Sequence, residues 1–253
     1  MPDGATPDTI ANLRRDLAAA YRLIALNGMD DSIYTHISAR MPDGPGGEKR
    51  FLLNPFGLRF DEVTAENLVT VDETGAVVDD PYGAGVNAAG FTIHSAVHMH
   101  RHDAAWIMHT HTRAGVAVST LEEGLMPLNQ IALQFHNRIS YHDYEGIALD
   151  LDERDRLVAS LGDNPVLVLR NHGLLTTGPT AASMFNTMFY MERACEIQVA
   201  TLSMGQKLRA VPADIAAHVA RQYESSMGEE DDVALEWAAH LRLLERIAPD
   251  YRD

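Results

Sequence analysis

The sequence predicts an α/β protein with a largely antiparallel, mixed sheet and helices laid on it. Three observations carry this. Apolar residues recur at helical spacing in several long stretches. Short β-branched runs come in pairs split by turn residues. The two kinds of segment alternate irregularly, not in a strict strand–helix repeat.

Taken in order, Thr6 to Leu26 places Ile10, Leu13, Leu17, Tyr21 and Ile24 at helical spacing. Asp8 sits near its start, where a carboxylate suits the helix dipole, and Asn27-Gly28 stops it. Ser32 to Arg40 and Arg50 to Asn54 read as strands around the turn Pro42 to Gly47. Val69 to Asp72 and Ala76 to Val78 flank Glu73-Thr74-Gly75, a second hairpin. Residues 88–101 read as an amphipathic helix, Ala104 to Thr112 as a buried strand and Ala114 to Ser119 as the start of a helix. Leu151 to Leu161 is helical, Val166 to Leu169 a strand and Ala181 to Met204 a long helix. Pro212 to Met227 and Asp231 to Ile247 are two further helical stretches.

At 253 residues and 46% hydrophobic, the chain can build a substantial core. No internal repeat or low-complexity linker divides it, so a single domain over 1–253 is expected, with a helical extension from about 206 to 253. A net charge of -16 disfavours nucleic acid and anionic membrane as partners. No apolar run is long enough to span a bilayer. The first residues lack the basic and apolar regions of a secretory signal, so a cytoplasmic location is expected. With one cysteine, Cys195, no intrachain disulfide can form, and its helical context reads as a buried, inert thiol.

The strongest chemical signal is Trp106-Ile107-Met108-His109-Thr110-His111-Thr112. On a strand, residues i and i+2 share a face, so His109 and His111 present two imidazoles side by side, half of a transition-metal site. His172, in Asn171-His172-Gly173 after the apolar run Val166 to Leu169, is the candidate third ligand, with Gly173 turning the chain away behind it. Twelve histidines also produce chance pairs, and by themselves these residues leave both readings open. His98, His100, His102, His142, His218 and His240 are assigned to surface or helix faces.

The stretch Asn87 to His98, the strand His109-Thr110-His111-Thr112 and Asn171-His172-Gly173 occur in an order and spacing that resemble the class II aldolase/adducin family. Ile33-Tyr34-Thr35-His36-Ile37-Ser38 and Asn54-Pro55-Phe56-Gly57-Leu58 are similar to it too, and the resemblance runs from about residue 12 to 205. It implies a single α/β/α domain with a central, mostly antiparallel mixed sheet. It also implies a divalent metal held by His109, His111 and His172, and a homotetramer. Zinc suits three imidazoles, and Fe2+ or Mn2+ fit as well.

The chain departs from the sugar-phosphate aldolases of that family. Where those carry Pro-Ser-Ser-Glu, it has Asn87-Ala88-Ala89-Gly90, losing two hydroxyls and a carboxylate. Their phosphate-loop Gly-Asn is Thr35-His36 here, and Thr-Pro-Thr-Gly is Asn54-Pro55-Phe56-Gly57. These segments are similar to the adducin-like branch. The missing acid shifts the proton-transfer role to other residues. His94, one helical turn after Gly90, is a candidate to approach the metal there. His36 is a candidate substrate contact, and His136, near Gln130 and Gln134, a candidate general base. Arg59 and Arg138 are candidate carboxylate binders.

The expected function is a metal-dependent lyase, cleaving or decarboxylating a small non-phosphorylated oxo- or hydroxy-acid through a metal-stabilised enolate. The alternatives are a non-haem iron oxygenase on the same three histidines and an adducin-like interaction module.

Overall fold

The structure is a computed structural model that describes residues 7–146, 153–227 and 230–253. Eight strands form its sheet: β1 (His36–Arg40), β2 (Arg50–Leu53), β3 (Val69–Asp72), β4 (Val77–Asp79), β5 (Trp106–Thr110), β6 (Ile139–His142), β7 (Val166–Leu169) and β8 (Gly173–Gly178). Their order across the sheet is β4-β3-β2-β1-β5-β8-β7-β6. All neighbours run antiparallel except β6 and β7, which are parallel. That parallel pair needs a crossover, and the helix α5 (Glu153–Leu161) lies within it.

Period-two alternation sorts the strand side chains into two layers. Ile37, Ala39, Leu52, Trp106, Met108, Val166, Val168 and Leu174 join one core with α1 (Pro7–Leu26) and α6 (Ala181–Ser203). Ile107, Leu167 and Leu175 face the other way, against α2 (Ala88–His100) and α5. Phe51, Leu53, Val69 and Val71 continue that second face and meet Phe91 of α2. The result is the α/β/α arrangement expected. The short helices α3 (Arg113–Ser119) and α4 (Gln130–Leu133) follow β5, and α7 (Ala213–Gln222) and α8 (Glu230–Ile247) come last in the chain. α8 lies on α6 and α1, and α7 on α4.

Several local features explain where the structure differs from the sequence reading. The strand expected from Ser32 begins only at His36, because Ser32 and Thr35 adopt positive φ of 55° and 67°. A β-branched residue there is strained by about 1–3 kcal/mol, a cost characteristic of functional sites. Thr6, expected to open the first helix, and Leu151, expected to open the fifth, lie outside the described residues. The last turn of the stretch Pro212 to Met227 is π-helical, over Tyr223–Met227. β6 and β8 were not anticipated from the sequence, yet every residue of Gly173–Gly178 is buried. Gly173 turns out to serve close strand approach, not chain reversal. A Cβ there would lie 2.3 Å from the carbonyl oxygen of Thr110 on β5.

Tyr21 of α1 locks β1 in place. Its hydroxyl accepts from the Ile37 amide at 2.8 Å and bonds the Asn54 side chain at 2.8 Å. Among the described residues, no helix is long and apolar enough to cross a membrane.

Candidate metal centre

His109 is the second-to-last residue of β5, and His111 follows just past the strand end. His172 sits in the tight connection between β7 and β8, where Asn171 takes positive φ. Because β8 pairs with both β5 and β7, this connection is carried over the end of β5. The three imidazoles thereby meet. His109 Nε2 lies 2.9 Å from His111 Nε2, which lies 2.9 Å from His172 Nε2. Among the described residues these form a cluster of ligand nitrogens within 4.8 Å of one another.

The far sides of two rings are held. His109 Nδ1 donates to the carbonyl of Leu174 at 2.9 Å, and His111 Nδ1 donates to Asp31 Oδ2 at 3.0 Å. With the proton fixed on Nδ1, the neutral ring turns its Nε2 lone pair toward the other two. This carbonyl- and carboxylate-backed orientation is the usual support of metal-bound histidine. Burial holds His109 well below the ordinary imidazole range, and the neighbouring His36, His172 and His111 push it further. Burial, then His111, lowers His172 to about 4. For His109 and His172, burial thus favours the neutral form that a metal requires. Three converging imidazole nitrogens fit one divalent transition ion and leave open positions on it.

The segment after His111 is pinned from the other face. Glu192 of α6 is buried, accepts from the Thr112 hydroxyl, and accepts the Gly115 amide of α3 at 3.1 Å.

The cleft above the triad has a volume of about 380 Å³, the size of a small-molecule site. Tyr34, Phe56, Ile93 and Tyr144 supply apolar wall, and Thr35, His36 and Asn87 supply polar groups. Among the described residues, no lysine or arginine lines it. Among the described residues, the Thr35 hydroxyl is buried without a partner.

The candidate acid–base residues separate. His36 lines the cleft and pairs across the strands with His109, the two rings lying 5.2 Å apart. Its ring fills the space beside Gly90, where a Cβ would stand 2.1 Å from His36 Cδ2 and 2.3 Å from Nε2. His36 thus occupies the room that a side chain at position 90 would take. His94 does not reach the cleft, contrary to the expectation that it would stand in for the lost carboxylate. It is fully buried behind His36, with Nε2 2.8 Å from His36 Nδ1 and Nδ1 2.6 Å from Ser38 Oγ. The reason is geometric: Gly90 and His94 do share a helix face, but His36 lies between that face and the triad.

His136 also lies apart, in a separate depression with Pro127, Phe135 and Tyr141. Arg59 is exposed and paired with Asp61, and Arg138 and Gln134 line a different groove beside α6. His98 and His142, assigned above to surface or helix faces, are both buried and hydrogen-bonded. Asp31, Ser38 and Tyr144 were missed. Ser38 carried a readable signal, since it falls two residues after His36 on the same strand. Asp31 carried none, because its reach to His111 depends on the turn at Ser32.

Residues 15–199 match the family described as Class II Aldolase and Adducin N-terminal domain. A Caulobacter vibrioides protein assigned to aldolase class 2 is 48% identical over 100% of both chains. An aldolase II superfamily protein of Pseudomonas syringae superposes with a TM-score of 0.91 at 50% identity, covering 98% of each chain. L-fuculose 1-phosphate aldolase of Glaciozyma antarctica superposes with a TM-score of 0.84 at 27% identity, covering 100% of this chain and 97% of that one.

Proposed function

The chain belongs to the class II aldolase and adducin family, and from that premise we propose that it is a metal-dependent lyase acting on a small, non-phosphorylated oxo- or hydroxy-acid. The observation that carries this reading is the cleft itself. A three-nitrogen triad sits under walls that offer aromatic and aliphatic surface, with no cationic side chain among the described lining residues. A phosphate dianion needs several charge-assisted donors. An acid that chelates through its carboxylate and adjacent oxygen needs only the triad's ion.

His109, His111 and His172 would hold the ion, with Asp31 and the Leu174 carbonyl orienting two of them. A divalent transition ion supplies Lewis acidity toward a carboxylate, carbonyl or hydroxyl oxygen. Zinc, iron(II) and manganese(II) all suit this donor set. His36 takes the acid–base role left open at Gly90, its Nε2 receiving a proton from the substrate hydroxyl on the cleft side. Tyr34, Phe56 and Tyr144 cover the distal end of the substrate and reduce water access. The assembly we propose is a homotetramer in which exposed apolar residues at the end of α6, Val199, Leu202 and Met204, meet another copy. Light scattering that gives a monomer at micromolar concentration contradicts that part.

The test of the reaction is product mass from metal-loaded protein offered 2-oxo acids, hydroxy acids and ketose phosphates in parallel. Turnover is expected on the acids and at least about a hundredfold weaker on the phosphates, from the loss of two charge-assisted donors worth about 1.5–3 kcal/mol each. Efficient turnover of L-fuculose 1-phosphate with none on the acids overturns the reading. Oxygen consumption by the iron-loaded protein would assign it to the oxygenase class instead.

A further inference from the structure

Behind the cleft, two elements place four polar side chains in line. β1 turns His36, Ser38 and Arg40 to one face by its period of two, and α2 sets Gly90, His94 and His98 one turn apart facing them. The contacts run without a gap. His36 Nδ1 is 2.8 Å from His94 Nε2, His94 Nδ1 is 2.6 Å from Ser38 Oγ, and Ser38 Oγ is 2.7 Å from His98 Nε2. His98 Nδ1 is 2.9 Å from the carbonyl oxygen of Ala104. Every one of these side chains is buried.

The geometry points to this chain as a tautomer lock, in which Ser38, His94 and His98 are positioning residues that hold His36 with Nδ1 protonated and Nε2 bare toward the cleft. The argument starts at the far end. A carbonyl oxygen only accepts, so His98 Nδ1 carries the proton and, in a neutral ring, Nε2 does not. Ser38 therefore spends its single hydrogen on His98 and can only accept from His94. His94 is then protonated on Nδ1 and bare on Nε2, so the proton between His94 and His36 belongs to His36 Nδ1. One neutral arrangement satisfies all four contacts, and it leaves the His36 Nε2 lone pair beside Gly90 at the cleft wall. Burial favours the neutral form of His94 and His98, and burial first, with the nearby Arg40 cation second, lowers His98 to about 3.

Two further details fit a site built for this purpose. Gly90 makes room for the His36 ring, and the strained Thr35 immediately before it fixes where β1 begins. Arg40 closes the end of α2, donating to the Arg101 and His102 carbonyls at 2.9 and 3.1 Å, so the helix cannot slide along the strand.

This inference rests on the acid–base role proposed above for His36, but its test does not require turnover. The full chain is labelled with 15N-histidine, loaded with zinc, and its ring nitrogens are correlated with their carbon-bound hydrogens. Signals of His36 are identified by their loss in His36→Gln. The expected result is that His36 and His94 are both wholly protonated on Nδ1 and bare on Nε2. A His36 ring protonated on Nε2, or on both nitrogens, overturns the lock. The second arm is Ser38→Ala, read beside Ser38→Thr, which restores the hydroxyl. Ser38→Ala is expected to let an Nε2-protonated form of His36 appear while zinc content stays at the wild-type level, and Ser38→Thr to return the single form. If His36 keeps one tautomer in Ser38→Ala, the chain beyond His94 does not hold it and the assignment of Ser38 and His98 fails. Inactivity on every acid tested, with the tautomers as described, would count against the lyase reading and leave the lock standing.

Discussion

The two faces of the sheet are held by different chemistry. On the α1–α6 face, Leu17, Ile24, Met184 and Leu174 form an apolar layer held by close contact. On the α2 face, the middle of the sheet beside β5 carries His36, Ser38, His94 and His98, all buried and, among the described residues, hydrogen-bonded to one another and to one carbonyl. Apolar residues return on that face only to either side, around Phe51 and around Leu175. Buried polar groups are costly unless every donor and acceptor is matched. A fold that places them where a hydrophobic pair would serve stability better does so for the site at their edge. One face is scaffold, and the other is an extension of the triad.

The sharpest way to separate the faces is to damage each alone. Leu17→Ala on the scaffold face should cost about 2–5 kcal/mol by creating a cavity, with metal content per folded chain unchanged. Urea unfolding and elemental analysis of the same sample check both halves of that statement, and lost metal in a folded Leu17→Ala protein would mean that the faces are not separable.

Gly90→Ala should cost about 1–3 kcal/mol by overpacking, since its Cβ meets the His36 ring at 2.1 Å. Adding His36→Ala should return part of that cost, which a double-mutant cycle in urea measures. Purely additive costs would show that His36 does not fill the position-90 space.

A smaller effect distinguishes the faces by pH. The unfolded His98 titrates near 6.5 and the folded one near 3, so the unfolded chain binds the extra proton between these values. Its contribution to stability is complete above pH 6.5 and declines as pH falls toward 3. His98 alone should give a loss of about 1.4 kcal/mol per pH unit below 6.5. Urea unfolding of chelator-treated protein at pH 7.5, 6.5 and 5.5 reads this slope. A flat profile over that range would mean that the α2 face accepts protons as readily as the unfolded chain does.

The scaffold face was legible in the sequence because its residues obey simple periods. Ile10 to Ile24 gave α1, and Ala181 to Met204 gave α6 within one residue. His109 and His111 were legible for the same reason, two residues apart on an apolar strand. The α2 face was not. His94 was rightly placed on the face of Gly90, yet what stands opposite depends on the β1–β5 register, which pairs His36 with His109. The strained turn at Ser32 and Thr35, which delays β1 to His36 and brings Asp31 under His111, has no local sequence signature. β8 escaped notice because Gly173 reads as a turn, and only the strands on both sides show that the residues after it are buried.

Whether His109, His111 and His172 hold one ion is read most directly as metal per chain by plasma emission. Wild type and His172→Ala are purified alike, supplemented with zinc, iron(II) or manganese(II), and freed of loosely bound metal. About one ion per chain is expected in the wild type and a large loss in His172→Ala, with both proteins folded. Equal, near-zero occupancy in the two after supplementation would contradict it.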